Sequence, residues 1–194
     1  MTFVPRRDLR ADLVAAATAL LEREGSVAAI SLRGVAREAG VSAPAVYGHF
    51  ADLDALLDAV LDEGFVALRT GTRSAAAAHE DPVERLVAGC RAYVEQGMAA
   101  PARYREMFQC RSLPHAGPAF DVLVDAVRAC VSAGRSRSVD ARADAGLIWT
   151  ALHGLVTLRV AAPHVPWPDL DDQLSVLVER LALLTPEETL PPVR

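Results

Sequence analysis

The twenty residues from Ser31 to Phe50 constrain this chain most: Ser-Leu-Arg-Gly-Val-Ala-Arg-Glu-Ala-Gly-Val-Ser-Ala-Pro-Ala-Val-Tyr-Gly-His-Phe. They read as two short helices joined by a tight turn. Ser31 is suited to cap the first, its hydroxyl accepting an orphan N–H two or three residues on. Leu32, Val35, Ala36 and Ala39 fall on one face at helical spacing. Ala36 is small, which lets a second helix cross closely. Gly40 is the natural stop, because glycine takes the left-handed cap conformation without a side-chain penalty. Val41 fills the angle between the helices. Ser42 is expected to cap the second helix, and Pro44 sits in its first turn, where no N–H is needed. Val46 and Phe50 face the core, leaving Tyr47 and His49 pointing outward. The pattern is a helix-turn-helix whose second helix suits a DNA major groove. Taken on spacing alone, a helical hairpin that binds nothing fits as well.

The residues that follow narrow this choice. Tyr47-Gly48-His49-Phe50, then Asp52-Leu53-Asp54-Ala55-Leu56-Leu57, resembles the end of the DNA-binding domain in the TetR family of bacterial regulators. There the pattern is Tyr-x-His-Phe, two residues, usually a lysine, then an apolar helix. The resemblance runs without gaps over roughly residues 9 to 65. It implies that Tyr47 and His49 contact backbone phosphates. Leu53 departs from it: the usual lysine is absent, and Asp52 and Asp54 flank the position. Both acids favour a helix start, and both would repel a phosphate approaching that end.

The candidate DNA-binding set is Arg33, Ser42, Ala43, Pro44, Ala45, Tyr47, Gly48 and His49. Ser42 can hydrogen-bond a base edge or a phosphate, and Ala43 and Ala45 can touch thymine methyl groups. The second helix carries no Arg, Asn or Gln for a bidentate base contact, so sequence choice must lean on weak contacts and DNA shape.

Charge supports DNA binding only locally. The net charge of the 194 residues is −5, and all 20 basic residues are arginine. Residues 1–50 hold six arginines against five acids; the rest holds fourteen against twenty. An acidic body weakens the phosphate-neutralising part of DNA affinity. Hydrophobic residues make up 52%, enough for a sizeable core. No apolar run reaches the length of a membrane span, and the first residues lack the apolar stretch of a signal peptide, so a cytoplasmic protein is expected. Cys90, Cys110 and Cys130 have neither zinc nor disulfide-framework spacing and read as buried free thiols, with a redox sensor as the alternative. No metal or cofactor is expected.

Helical periodicity recurs along the whole chain, and no strand-like alternation is sustained. The expected fold is all-α, with about nine helices: a three-helix helix-turn-helix domain over residues 8–51 and a helical ligand-binding and dimerisation domain over 52–190. The predicted helices are Asp8–Glu24, the pair within 31–50, Asp52–Arg73, Pro82–Ala99, Ala102–Phe108, Ala119–Ala133, Asp140–Ala161 and Asp169–Leu184. Residues 1–7, with Arg6 and Arg7, read equally as a DNA-reaching arm or an untethered tail. Arg135 and Arg137 read as solvated, and His115 as a loop residue. The chain from Thr185 reads as loose.

The eighth predicted helix holds Trp149-Thr-Ala-Leu-His153-Gly154, similar to a Trp-x-x-x-His-Gly pattern in the ligand-binding domain of a TetR subgroup. The candidate ligand-lining residues are Tyr93, Met98, Tyr104, Met107, Phe108, Phe120, Trp149 and His153; core packing is the alternative for each. Their composition suits an apolar or aromatic effector with one or two polar anchors. The family resemblance implies a homodimer joined through the last two helices, a double-stranded DNA operator, and repression released by a small molecule. Two other readings stay open: a dimeric helical interaction module that has lost DNA binding, and a helical enzyme. Against the enzyme, no nucleophile–base grouping, paired carboxylates or glycine phosphate loop is evident.

Overall fold

Short acidic and hydroxyl side chains set where the helices begin. In the computed structural model, which describes residues 8–109 and 115–185, Asp8 caps α1 (Leu9–Glu24) and Ser31 caps α2 (Leu32–Glu38), each by accepting first-turn backbone N–H groups. Asp52 does so for α4 (Leu53–Ala77), accepting from Ala55 N–H at 2.8 Å. Asp81 serves α5 (Pro82–Ala99), Asp140 serves α8 (Ala141–Ala161) and Asp169 serves α9 (Leu170–Leu181). Such caps contribute about 1 kcal/mol each. A 3₁₀ turn at Val27–Ala29, α3 (Ala43–Tyr47), α6 (Pro101–Met107) and α7 (Ala116–Ser132) complete the order. The fold is all-α as expected, with nine α-helices and no sheet among the described residues.

The helices divide into two compact units. The first comprises the described residues up to Val66 together with those from Ala100 to His115. Leu13, Val14, Ala17 and Leu21 of α1, Val35 and Ala36 of α2, Val46 of α3 and Leu56, Val60 and Leu61 of α4 are buried there. The second comprises Ala67–Ala99 and the chain from Ala116. Its buried side chains include Leu86, Val94, Val124, Val127, Ile148, Leu152, Leu174 and Val178. Removing one such Val, Leu or Ile from water is worth about 1.5–3 kcal/mol. The second half of α4 meets α5 closely: the Gln96 amide lies where a Cβ on Gly71 would stand, so a side chain there would have to displace it.

Several details differ from the sequence reading. The reading gives residues 52–190 to the second domain, with the fourth helix shared by both. By packing, residues 52–66 and the described residues of 100–115 group with the helix-turn-helix. The apolar stripe of α4 is buried in the first unit, and Glu22 of α1 holds the start of α6. Helix α4 continues to Ala77, because Ser74–Ala77 is an alanine-rich run that keeps its helical propensity. Helix α7 begins at Ala116, taking Gly117 and Pro118 into its first turn, where a proline costs no hydrogen bond. Arg135 is not solvated: its Nη1 meets Asp81 Oδ2 at 2.7 Å. His115 is bonded to Asp62, with Nδ1 2.5 Å from Oδ2 and its backbone N–H donating to Oδ1. The readings for residues 1–7, for Cys110 and for the chain beyond 185 lie outside the described residues.

Candidate DNA-binding surface and effector site

The turn between α2 and α3 is fixed by main-chain geometry. Gly40 has φ +70°. Its N–H donates to Arg37 O, and Val41 N–H donates to Ala36 O at 2.9 Å, the paired bonds that close a helix on a left-handed residue. Ser42 stands at the cap position of α3, but its hydroxyl makes no capping hydrogen bond, contrary to expectation. The reason is local. Pro44 has no N–H to offer, and the N–H of Ala45 is taken by Ser42's own carbonyl at 3.0 Å. Ser42 is exposed, so its hydroxyl faces solvent on the outer side of the motif.

Val46 and Phe50 are buried, and this pins the opposite face of α3 outward. Tyr47 is 61% exposed. Pro44, Gly48 and His49 are exposed with it, while Ala43 and Ala45 are half-buried at its margin. On α2, Arg33 is exposed, as is Arg37 one turn later. Arg37 was absent from the candidate set, although its four-residue spacing from Arg33 is visible in the sequence.

Two contacts tie α1 to this motif. The Arg10 guanidinium lies 5.1 Å over the Phe50 ring. Arg23 Nη1 and Nη2 reach both oxygens of Glu38 at 3.3 and 3.0 Å. The hydrogen bonds of that pair, and then its charge, hold the Glu38 carboxyl below its ordinary value. At the start of α4, Asp52 already occupies the first-turn amides, Leu53 is half-buried and Asp54 is exposed. A DNA phosphate would meet carboxylates at that helix end.

The eight ligand candidates fall into two groups. In the second unit, Trp149 Nε1–H donates to Tyr93 Oη at 3.0 Å. Phe120 meets Trp149 edge-on at 6.0 Å, and the His153 ring lies 6.3 Å from Trp149. Arg142 stands 5.1 Å over Phe120 and is paired with Asp121. Burial lowers the His153 pKa, which favours a neutral imidazole. Met98 is half-buried near the end of α5. In the first unit, Tyr104 and Phe108 meet edge-on at 4.9 Å, Phe108 meets Phe65 edge-on at 5.5 Å, and Met107 Sδ lies 2.6 Å from where a Cβ on Gly64 would be. Those three residues pack within the first unit.

Cys90 and Cys130 are buried free thiols. Burial pushes Cys90 up to about 12, with Cys130 adding to it, and burial pushes Cys130 up to about 11. Both therefore stay protonated near neutral pH. Among the described residues no group of three or more His, Cys, Asp or Glu could hold a metal ion, and no helix is long and apolar enough to cross a membrane.

A three-helix motif with one short helix held outward by its buried neighbours defines a helix-turn-helix DNA-binding protein. The family model described as "Bacterial regulatory proteins, tetR family" matches residues 13–60. The one described as "Tetracyclin repressor-like, C-terminal domain" matches residues 86–181. This chain belongs to the TetR family and is a DNA-binding transcriptional regulator, not an enzyme. A protein of unknown function from Rhodococcus sp. RHA1 is 29% identical, with a TM-score of 0.79 over 94% of this chain and 97% of that one. Two others share the fold at lower identity. The fatty acid degradation regulator FadR from Bacillus halodurans is 16% identical, with a TM-score of 0.72 over 92% and 97%. SmeT, the repressor of the Stenotrophomonas maltophilia multidrug efflux pump SmeDEF, is 20% identical, with a TM-score of 0.68 over 95% and 94%.

Proposed function

We propose that this regulator is a homodimeric repressor that binds a double-stranded operator through α2 and α3 and releases it when a small apolar or aromatic molecule occupies the second unit. The observation that carries the DNA reading is the outward face of α3, where Tyr47 and His49 stand exposed while Val46 and Phe50 are buried. Tyr47, His49, Arg33 and Ser42 take phosphates; Ala43, Ala45 and Gly48 approach base edges, with Pro44 shaping the helix start. The repressor sense follows SmeT, itself the repressor of a multidrug efflux pump. Two copies would place their recognition helices in successive major grooves, about 34–36 Å apart.

The effector reading rests on Tyr93, Phe120, Trp149 and His153, with Met98 beside them on the second unit's side. An indole bonded to a phenol, an edge-on phenyl ring and a neutral imidazole suit a flat apolar molecule with one polar anchor. Such a molecule must bind the DNA-incompetent state better, by a few kcal/mol, to empty the operator.

Asp52, Leu53 and Asp54 favour a second reading, a dimeric module that no longer binds DNA. One experiment separates them: a mobility shift on the DNA flanking the protein's own gene, across a salt series, with wild type, Tyr47→Ala and His49→Ala. The repressor reading expects saturable, salt-sensitive retention of one fragment, weakened about tenfold in each variant and on every sequence tested. No retention by a folded wild-type dimer at low salt would leave the module reading.

A further inference from the structure

One face of α8 carries more recognition chemistry than its packing needs. Arg142, Gly146, Trp149 and His153 recur at steps of four, three and four, so they share one side of the helix. The exposed Leu147 and Leu158 lie on another side, more than a quarter-turn around the axis. Phe120 of α7 stands against the first face and meets two of its residues. Its ring lies 5.1 Å from the Arg142 guanidinium and meets Trp149 edge-on at 6.0 Å. Gly146 falls between those two contacts. A Cβ added there would meet nothing within 4 Å, so Phe120 bridges Arg142 and Trp149 without filling the space over Gly146. The result is a shallow hollow, floored by bare backbone, walled by two aromatic rings and closed at one end by a guanidinium.

The walls are held in place before anything binds. Trp149 is 37% exposed, yet its Nε1–H donates to Tyr93 Oη and fixes the indole. A large ring that is open to water and already oriented loses little freedom when a flat molecule covers it. The guanidinium is open to exchange. Arg142 Nη1 donates to Asp121 Oδ1 at 3.1 Å, but both side chains are more than half exposed, so that pair is weak. A planar guanidinium matches a carboxylate in geometry as well as charge. One guanidinium shared with one aspartate suits a single negative charge better than the two of a phosphate. Gly146 is one turn from Arg142, about 6 Å along the axis, a gap that a ring on Gly146 spans with a carboxyl group. His153, kept neutral by burial, places no second charge beyond Trp149.

We propose that this face of α8 binds a small planar aromatic carboxylate, its ring over Gly146 between Phe120 and Trp149 and its carboxylate on the Arg142 guanidinium. The inference rests on the effector reading above and names the chemical class of the effector. Arg142 is the residue that sets this specificity, and Asp121 competes with the ligand for it.

The test is calorimetric titration of the full-length protein with naphthoate and with naphthamide, which has the same ring and no charge. Wild type should bind naphthoate about tenfold more tightly than the amide. Arg142→Gln should erase that preference and leave the amide's affinity unchanged, while Arg142→Lys, which keeps the charge without the fork, should retain part of it. Asp121→Asn should tighten naphthoate several-fold, because the competitor is gone; a pair with only a structural role predicts no gain. Arg128→Gln, two turns further along α7, should change nothing. Circular dichroism checks that each variant keeps the wild-type fold. Equal affinity for the two probes, a preference that survives Arg142→Gln, or no naphthoate binding at millimolar concentration overturns the proposal. Octanoate binding as tightly as naphthoate overturns the aromatic class. If both probes bind equally and Trp149→Leu loses both, the carboxylate class falls while the effector reading stands. If naphthoate binds as expected but never releases the operator fragment, the site stands and the effector reading fails.

Discussion

Gly40 and Gly48 lie on either side of α3 and are glycines for different reasons. Gly40 holds φ +70°, and an added Cβ would meet nothing within 4 Å, so only backbone strain opposes a side chain there. Gly40→Ala should therefore cost about 1–2 kcal/mol and lower the thermal midpoint by several degrees, read by circular dichroism. Gly48 has φ −69°, in the right-handed region, and its Cβ would lie 3.4 Å from the carbonyl of Ala45, an ordinary contact. Gly48→Ala should leave the midpoint within about a degree while weakening DNA binding, because the bare backbone faces outward beside Tyr47. A midpoint drop in Gly48→Ala equal to that of Gly40→Ala would show that position 48 serves the fold and not the DNA. The left-handed role of Gly40 was legible in the sequence because it depends on its immediate neighbours alone. The free cap at Ser42 was not read, although its cause is equally local: Pro44 removes one N–H, and Ser42's own carbonyl takes the next.

At the scale of elements, the start of α4 separates this chain from the family pattern most sharply. Asp52 caps the helix, Asp54 adds a second exposed carboxylate, and Leu53 stands where a lysine is usual. Leu53→Lys restores one phosphate contact without touching the cap. It should tighten DNA binding and steepen the dependence of log K on log salt by about 0.9, the release of one counterion. An unchanged slope would mean that this helix end never approaches the backbone. Helix periods, caps and stops were readable throughout, since each depends on residues within a turn or two. The placement of α6 was not. Its partners are Glu22, Gly25 and Gly64, forty or more residues away, and nothing in its own seven residues names them. Tyr104, Met107 and Phe108 have the same property: aromatic and methionine side chains at helical spacing look alike whether they line a pocket or fill a core. The pair Asp62–His115 was equally invisible, because sequence gave His115 no address beyond its loop.

At the scale of the whole molecule, the second unit exposes more apolar surface than an isolated chain has use for. Leu147 is 56% exposed and Leu158 54% exposed on one face of α8, with Ala151 and Gly154 between them and Val176 of α9 exposed at 46%. A Cβ added to Gly154 would meet nothing, so that stretch of α8 is open to the close approach of another helix. A contiguous stripe of this kind on a folded surface marks an association surface. The partner it suits is a second copy, because two-fold symmetry brings the same stripe against itself. Leu147→Glu and Leu158→Glu would each place a carboxylate opposite its own image, where desolvation and like-charge repulsion add. Light scattering should then report 20.7 kDa, against twice that mass for the proposed wild-type dimer. Operator binding should fall with it, since a monomer engages only one half-site and forgoes the gain from linking two. Tyr47→Ala, by contrast, should keep the dimer and weaken DNA binding about tenfold. If Leu147→Glu stays dimeric, the stripe is not the interface; if it turns monomeric yet still holds the operator at the wild-type concentration, one copy suffices and the two-groove arrangement is wrong.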